Sequence, residues 1–361
     1  MFLTFLASRK QENHTYLIEI DGSKKGGSGT ILRLAVALSA ITEQPLHIFN
    51  IRQSRPQPGL KPQHLEAVLT AAKLCNADLE GAGINSRELW FKPKEITGGK
   101  IAAEIGTAGS IPMLLMTVLP ICAYARNTVN LRVSKGGTDV SYSPTINYMS
   151  FVLLPILERT GLNAAINVHK YGYYPKGNGE ITATIEPAKR LKPIRLDNFG
   201  NIKAIKGVSV CTFLADRKVA ERQAKAANQH LKERGYKADI QVINDESNAL
   251  QKGSSLVLWA ETDTDTVIGA DAIGELQKTS EKVGEEAAQK LLEEISLKPT
   301  VDVHLSDLLI PYAALAQGKS IYLTRTVSEH LETNIWLAEE ILKIRFRVEK
   351  ADRLYRIEKI C

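Results

Sequence analysis

The chain has 361 residues, of which 44% are hydrophobic and 24% are charged, and its formal net charge at pH 7 is +6. This composition is ordinary for a folded chain and excludes a disordered, fibrous or small disulfide-stapled protein. The length favours two domains, and the modest positive charge permits an anionic partner without requiring one.

The cysteines and the apolar segments indicate in which cellular compartment the protein is expected. Cys75, Cys122, Cys211 and Cys361 form no Cys-x-x-Cys pair, which argues against a zinc knuckle or a redox dithiol and favours a reducing cytoplasm. The apolar start at residues 1–6 is too short for a secretion signal. The longest apolar stretch, residues 111–125, falls short of the ~20 residues of a membrane span, so we predict a buried helix there and no membrane partner.

The first half of the chain repeats one order of elements. We predict a strand at 16–20, a glycine-rich loop at 21–29, a helix at 30–42, a strand at 45–51, a loop at 52–62, a helix at 63–74 and a strand near 88–91. The order recurs with strands at 101–105, 128–134, 164–169 and 180–186 and helices at 111–125 and 145–159. The pattern indicates an α/β fold, with α+β layering, in which a βαβαββ unit is duplicated.

A third copy of this unit is predicted to be interrupted. Its helices at 307–317 and 330–342 and its strand at 320–324 follow a more charged segment, in which we predict helices at 218–234 and 280–295 and strands at 239–243, 255–260 and 264–269. We therefore predict three repeated βαβαββ units forming a large domain of residues 1–197 and 300–361. A small α/β domain, residues 198–299, is inserted in the third unit.

The glycine-rich loop is the first candidate site. It runs Asp21-Gly-Ser-Lys-Lys-Gly-Gly-Ser-Gly29 between a strand and a helix, where free backbone N–H groups and the helix dipole favour an anion such as phosphate. Lys24, Lys25 and Arg33 add positive charge. The alternative is a glycine turn with solvated lysines, because the loop matches neither a Walker A sequence nor the Gly-x-Gly-x-x-Gly fingerprint.

A second basic loop follows the next strand. It places Arg52, Arg55 and Lys61 on a stretch that Pro56, Pro58 and Pro62 stiffen. Guanidinium groups on a rigid loop make bidentate hydrogen bonds to phosphate at a lower entropic cost than guanidinium groups on a mobile loop. A polar connector with incidental charge is the alternative, but two such loops after strands of one unit favour a shared cleft.

His330 is the candidate nucleophile among the seven histidines. It lies in Ser328-Glu-His-Leu-Glu-Thr-Asn334 at the predicted start of a helix, with Thr326 or Ser328 as the cap. The helix N-terminus lowers the pKa of an imidazole and so favours the neutral, nucleophilic form. A phosphate bound at the same place would be its electrophile.

These motifs together resemble the RNA 3′-terminal phosphate cyclase family, from about Tyr16 to Ile357. The matching segments are Asp21-Gly-Ser with Ile31-Leu-Arg33, Arg52 with Arg55-Pro-Gln-Pro-Gly59, Gln63-His64, Gly106-Thr-Ala-Gly-Ser110, Thr117-Val-Leu-Pro120, Gly136-Gly-Thr-Asp139, Tyr174-Pro with Gly177 and Gly179, and His330-Leu with Thr333-Asn334. The resemblance also implies the fold predicted above.

The resemblance implies an activity and a site. Members use ATP and a divalent metal, Mg²⁺ or Mn²⁺, to convert the 3′-phosphate end of an RNA into a 2′,3′-cyclic phosphate through a histidine-linked AMP. The implied catalytic residues are His330, Arg33, Arg52, Arg55 and Gln63. Adenine is implied to pack between His304 and Pro144. The residues implied to hold the nucleotide are Met116, Pro144, Val303, His304, Leu305, Ser306 and Asp307.

The glycine loop departs from the family pattern Gly-Glu-Gly-Gly-Gly-Gln. Gly26 replaces a glutamate that the family associates with the metal, while Lys25 and Thr30 replace the first glycine and the glutamine. Met116 replaces a glutamine, and His304 stands at the adenine stack. From Gly26 we predict slow adenylation that depends weakly on protein-bound metal, with Gly26→Glu raising the rate. The metal ligands are not predicted.

Two other functions stay open from the sequence. One is a non-catalytic RNA-processing scaffold with a cyclase-like fold, which Gly26 and Met116 favour and the presence of His330 disfavours. The other is an enolpyruvyl-transferase-like enzyme, whose fold also repeats a βαβαββ unit and which would need no adenylated histidine. Self-labelling by ATP distinguishes the three functions.

Overall fold

The computed structural model describes residues 16–188 and 190–360, so the predictions about residues 1–6 and Cys361 lie outside the described residues. The first sheet contains strands β1–β4, which span Ile18–Asp21, Leu46–Phe49, Asp78–Glu80 and Leu89–Lys92. Its order is β1-β2-β4-β3, with β1 and β2 parallel and the other pairs antiparallel. Two helices complete this part, α1 (Gly29–Thr42) and α2 (Pro62–Cys75).

The second sheet has the same pairing pattern. Its strands β5–β8 span Gly99–Glu104, Val129–Gly136, Asn163–Lys170 and Gly179–Glu186, in the order β5-β6-β8-β7. Helix α3 is Ile111–Cys122, shorter than predicted, and α4 joins Ile146–Tyr148, a π-helical turn Met149–Leu153 and Leu154–Arg159. Helix α3 is almost wholly buried. Within residues 16–188 and 190–360, no helix combines the length and apolarity that crossing a membrane requires.

The next part forms a sheet of its own. After the two-residue strand β9 (Arg195–Leu196), strands β10–β13 span Ile202–Thr212, Ala238–Asp245, Gly253–Thr262 and Val267–Ile273. Their order is β11-β10-β12-β13, and helices α5 (Val219–Lys232) and α6 (Ser280–Leu297) pack against this sheet. The helix-covered face of the sheet has an apolar cluster of its own, whereas the other face belongs to the main core through Val208, Val210, Val257, Trp259 and Val267. Strand β10 was missed in the sequence, and β13 begins later than predicted.

The last sheet combines residues from both sides of this part. The remaining elements are α7 (Val303–Leu315), β14 (Ile321–Thr324), α8 (Glu329–Leu342), β15 (Arg345–Ala351) and β16 (Leu354–Ile360). Their order is β15-β16-β14-β9, and β14 pairs in parallel with β9. The Thr300 hydroxyl donates to the Leu196 carbonyl at 2.6 Å. The chain therefore leaves this sheet and returns to it at neighbouring points.

Helix α1 is the central helix of the structure. All its residues from Gly29 to Ile41 are buried, because it packs against α2, α3 and α8. Only an apolar helix with small residues such as Ala35 and Ala37 accepts neighbours on every side. Its N-terminus, which follows the glycine-rich loop, therefore lies where several elements meet.

Candidate active site

The glycine-rich loop leads directly into α1. Ser28 caps the helix, its hydroxyl accepting from the Thr30 N–H at 3.3 Å, and no acidic residue stands in the first turn. The Asp21 carboxylate accepts from the Ser23 N–H at 3.0 Å and from its hydroxyl at 2.7 Å, which fixes the turn that starts the loop. The remaining free N–H groups and the positive end of the helix dipole suit an anion.

The arginine-bearing loop packs against the glycine loop. Gly27 has a φ of +52°, and a Cβ there would lie 2.6 Å from the Ser54 hydroxyl oxygen, so only glycine fits this contact. Arg52 donates from Nη1 to the carbonyls of Gln57 at 2.9 Å and Gly59 at 2.8 Å, which holds its own loop in shape. Arg55 is exposed. The two loops therefore lie side by side at the start of α1.

Arg33 is a buried cation beside both loops. Its side chain donates from Nη2 to the Thr30 hydroxyl oxygen at 3.0 Å and from Nη1 to the Met113 sulfur at 3.7 Å. Burial, and then the charge of Arg52, lowers the pKa of Arg33 to about 10. Within residues 16–188 and 190–360, Arg33, Arg52 and Arg55 form no ion pair with a carboxylate. A buried guanidinium without an anion is costly, so the charge of this cluster suits an anionic ligand.

His330 lies at the start of α8, close to the same cluster. Ser328 caps the helix by accepting from the Leu331 N–H at 2.9 Å. Nδ1 of His330 lies 3.2 Å from the Thr30 hydroxyl oxygen. Burial, and then the charge of Arg33, lowers the pKa of His330, while Glu329 acts in the opposite direction. The lowered pKa favours a neutral imidazole at neutral pH, but its causes are burial and Arg33 rather than the helix start invoked from the sequence.

Asp307 joins α8 to α7. The Ser328 hydroxyl donates to its carboxylate at 2.6 Å, and the Asn334 amide donates to its backbone carbonyl at 2.9 Å. Burial raises the pKa of Asp307 to about 6. The predicted nucleotide segment is thereby fixed to the helix that carries His330.

That nucleotide segment is the first turn of α7, four residues earlier than the predicted helix start. Asp302 caps it by accepting from the Leu305 N–H at 2.9 Å. The side chains of Leu305 and Ser306 are buried, while Val303 is half-buried and His304 is exposed. Of this segment, Val303 and His304 are therefore the side chains that a ligand reaches most easily.

The predicted adenine pair lies on two neighbouring elements. The His304 ring meets the Tyr148 ring edge-on, with centroids 6.4 Å apart. Tyr148 belongs to the first turn of α4, and Pro144 immediately precedes the Thr145 cap of that turn. Both predicted residues thus flank the same helix start, and His304 also lies near enough to lower the pKa of His330.

Gln63 and Met113 lie next to Arg33, whereas Met116, the other methionine of α3, lies against the apolar core. The Gln63 carbonyl oxygen accepts from the Ser110 N–H at 2.7 Å, and its amide donates to the Met113 sulfur at 3.3 Å. Met113 therefore contacts both Gln63 and Arg33. Met116 lies one turn further along α3 and packs against the apolar core.

Three residues of the site had no role in the sequence predictions: Thr30, Met113 and His64. Thr30 contacts both Arg33 and His330. Helix spacing suggests the contact with Arg33, three residues further along α1, but the contact with His330 depends on tertiary packing. His64 is buried, and its Nδ1 accepts from the Lys61 N–H at 3.4 Å, so Nε2 carries the proton. Burial and the nearby cations lower the pKa of His64 to about 3, which keeps it neutral.

Comparisons with known proteins agree with this arrangement. The model of the RNA 3′-terminal phosphate cyclase family matches residues 24–348. The protein named RNA 3′-terminal phosphate cyclase in Pyrobaculum aerophilum is 44% identical, over 94% of this chain and 97% of the relative. The protein of that name in Methanopyrus kandleri is 42% identical, over 92% of this chain and 95% of the relative. A third, from Pyrococcus furiosus, is 43% identical over 92% and 95%. The chain belongs to the RNA 3′-terminal phosphate cyclase family of enzymes.

Proposed function

We propose that this enzyme uses ATP to convert the 3′-phosphate end of an RNA into a 2′,3′-cyclic phosphate, through an AMP carried on His330, in the cytoplasm. The observation that carries the proposal is geometric: the Thr30 hydroxyl lies 3.2 Å from Nδ1 of His330 and accepts from Arg33, which has no ion pair within residues 16–188 and 190–360. A nucleophile and a phosphate-binding cation thus share one cleft. The names of the relatives at 41–44% identity support the same reaction.

In the first step, Nε2 of His330 attacks the α-phosphorus of ATP. A P–N bond forms, the bond to the bridging oxygen breaks, and pyrophosphate leaves. Nδ1–H donating to the Thr30 hydroxyl oxygen leaves Nε2 with a free lone pair. That oxygen has two lone pairs, so it also accepts from Arg33 at the same time. Arg33 stabilises charge that develops on the phosphorus oxygens.

The next two steps move the AMP and close the ring. The RNA 3′-phosphate attacks the same phosphorus, so the P–N bond breaks and an RNA–AMP anhydride forms. The neighbouring 2′-OH then attacks the RNA phosphorus, loses its proton and expels AMP. We assign the RNA phosphate to Arg55, which is exposed on the loop that Arg52 shapes.

ATP reaches such a site together with a divalent cation, Mg²⁺ or Mn²⁺, which neutralises phosphate charge. Within residues 16–188 and 190–360, there is no group of three or more His, Cys, Asp or Glu side chains that could hold a metal ion. Mg²⁺ usually needs one or two carboxylates plus the substrate phosphates, so a single carboxylate fits this need.

Labelling by ATP tests the proposal. Incubation with α-labelled ATP should give acid-labile, base-stable labelled protein, and His330→Ala should abolish both labelling and cyclisation. His169→Ala, at an exposed histidine bonded to Thr182, is the matched control and should label normally. Labelled His330→Ala would contradict the assignment, and an unlabelled parent would favour the scaffold.

We also propose a relation between the sheets. Those containing β1–β4, β5–β8 and β9 with β14–β16 share one pairing pattern, which supports three copies of a βαβαββ unit. The remaining sheet, with α5 and α6 and its own apolar cluster, supports an inserted domain at 198–299.

A further inference from the structure

The Glu329 carboxylate lies directly over the glycine-rich loop. A Cβ placed on Gly26 would lie 2.6 Å from the carboxyl carbon of Glu329 and 3.1 Å from its Oε2, so a side chain at Gly26 would displace this group. Glu329 is the residue before His330 and the first residue of α8. The Glu329 carboxylate therefore packs against the glycine loop and is near enough to His330 to act on its pKa.

Among the described residues, this carboxylate has no ion-pair partner. Within the described ranges 16–188 and 190–360, it forms no ion pair and no side-chain hydrogen bond, although its backbone carbonyl accepts from the Thr333 hydroxyl at 2.7 Å. Most surface glutamates have this character and carry no function. Glu329 differs because it packs against the glycine-rich loop, which itself carries Lys24 and Lys25.

A bare carboxylate at a triphosphate site opposes binding. Two negative groups a few ångströms apart repel each other, and the repulsion is strongest where the cleft excludes water. A divalent cation between them converts the repulsion into attraction, because Mg²⁺ and Mn²⁺ bind carboxylate and phosphate oxygens together.

We propose that Glu329 is the ligand through which the protein holds the divalent cation of ATP. The inference rests on the proposed function, because it needs a nucleotide in the cleft. It also gives a reason for glycine at position 26, since the loop leaves room for a carboxylate delivered by α8. The sequence prediction of weak metal dependence considered the loop alone, whereas this proposal predicts a strong dependence.

Nucleotide binding with and without metal tests this assignment. The probe is an ATP analogue with a methylene group between the α- and β-phosphorus atoms, so that no AMP is transferred. For Glu329→Gln, we expect weaker binding in Mn²⁺, by about tenfold, and tighter binding in EDTA, because the repelling charge is gone. Glu332→Gln, exposed on the same helix, is the matched control and should change neither affinity.

The direction in which Glu329→Gln changes the affinity for the analogue, in Mn²⁺ and in EDTA, decides whether Glu329 is a metal ligand. If Glu329→Gln binds the analogue more tightly in both conditions, Glu329 is only a repelling charge and the proposal is overturned. Equal affinities for parent and variant in both conditions overturn it as well. If the parent labels with AMP in either case, the proposed function survives. A parent that binds no analogue and takes no label overturns both.

Gly26 provides an independent check. Gly26→Ala should displace the Glu329 carboxylate and weaken Mn²⁺-dependent binding as Glu329→Gln does. The double variant Gly26→Glu with Glu329→Ala returns one carboxylate from the loop side and should recover part of the Mn²⁺ effect. A double variant that folds, binds the analogue in EDTA and gains nothing from Mn²⁺ counts against a metal at this position.

Discussion

The Thr30 hydroxyl lies 3.2 Å from Nδ1 of His330 and accepts from Arg33 at 3.0 Å. The first turn of α1 therefore orients the proposed nucleophile and a phosphate-binding cation through one oxygen atom. Because the packing of α1 on α8 brings these groups together, a change at Thr30 acts on geometry more than on charge.

We expect Thr30→Val to slow single-turnover adenylation by up to about 100-fold, because the imidazole loses the partner that fixes its ring and tautomer. Thr30→Ser should recover most of the rate, since it keeps the hydroxyl. Thr42→Val, at the other end of the same helix, is the control. Similar losses in Thr30→Val and Thr42→Val would indicate a structural effect on α1 alone.

The three arginines should separate by role. Arg33→Ala should cost on the order of 2 to 4 kcal/mol in the transition state for adenylation, because a held donor to the phosphate is lost. Arg55→Ala should raise KM for the RNA end and leave self-adenylation nearly intact. Arg52→Ala should affect both steps, since the loop loses its bonds to Gln57 and Gly59. Wild-type kinetics in all three variants would remove this assignment.

Stability should fall as pH rises. Burial raises the pKa of Asp139 and of Glu294 to about 7, and it also raises the pKa of Asp302. An unfolded carboxyl has a pKa near 4, so the folded state binds more protons between about pH 4 and 7. The stabilisation of the folded state that comes from these raised pKa values is complete below pH 4 and is lost as the pH passes 7.

Thermal unfolding measured from pH 5 to pH 8 should therefore show a falling Tm, and the fall should be steepest between about pH 6.5 and 7, because the lowered pKa of His64 opposes it at lower pH. Glu294→Gln should flatten the profile, because Oε2 of Glu294 is buried without a hydrogen-bond partner and an amide needs no proton there. Glu293→Gln, at the exposed neighbour, should keep the slope of the parent. A parent Tm that rises over this interval would contradict the prediction.

Removal of residues 198–299 should leave His330 able to react. The cut ends are adjacent, since the Thr300 hydroxyl contacts the Leu196 carbonyl, so a short linker suffices. The removal breaks hydrogen bonds, such as those from the Gly269 N–H to Asp302 and from the Thr145 N–H to Asp271, and it uncovers the part of the main core that Val208, Val210, Val257, Trp259 and Val267 fill. We expect a lower Tm and residual self-labelling. A folded product that binds ATP normally without adenylating His330 would contradict the prediction that this segment supplies no chemical group.

The sequence predicted elements well where one pattern dominated. Helix α1 was predicted to within one residue because its apolar run is framed by a cap and a polar turn. Strand β10 was missed because Lys203, Lys206 and Gly207 obscure its alternation, although β11 and β12 cover it on both edges. Burial by neighbouring strands overrides local preference, and no local pattern records it.

The residues of the candidate site also divide into those that a local sequence pattern indicates and those that depend on tertiary contacts. Arg33 and His330 could be singled out by charge and by position at helix starts. Glu329 and Thr30 could not, because their roles come from contacts between segments about 300 residues apart in the chain, as the Thr30–His330 bond shows. Spacing along a helix carries information over one or two turns, whereas these contacts depend on how α1 meets α8.

The short strand β9 has a consequence for the order of folding. Strands β1–β4 and β5–β8 each come from one continuous stretch, so these sheets can form as soon as their residues leave the ribosome. Arg195 and Leu196 instead pair with Ile321 and Tyr322. The final sheet must therefore wait until the whole intervening segment has been synthesised, and the entropy of closing so long a loop makes this the slowest pairing in the chain. Because α8 follows β14 directly, the helix bearing His330 is among the last elements to reach its place.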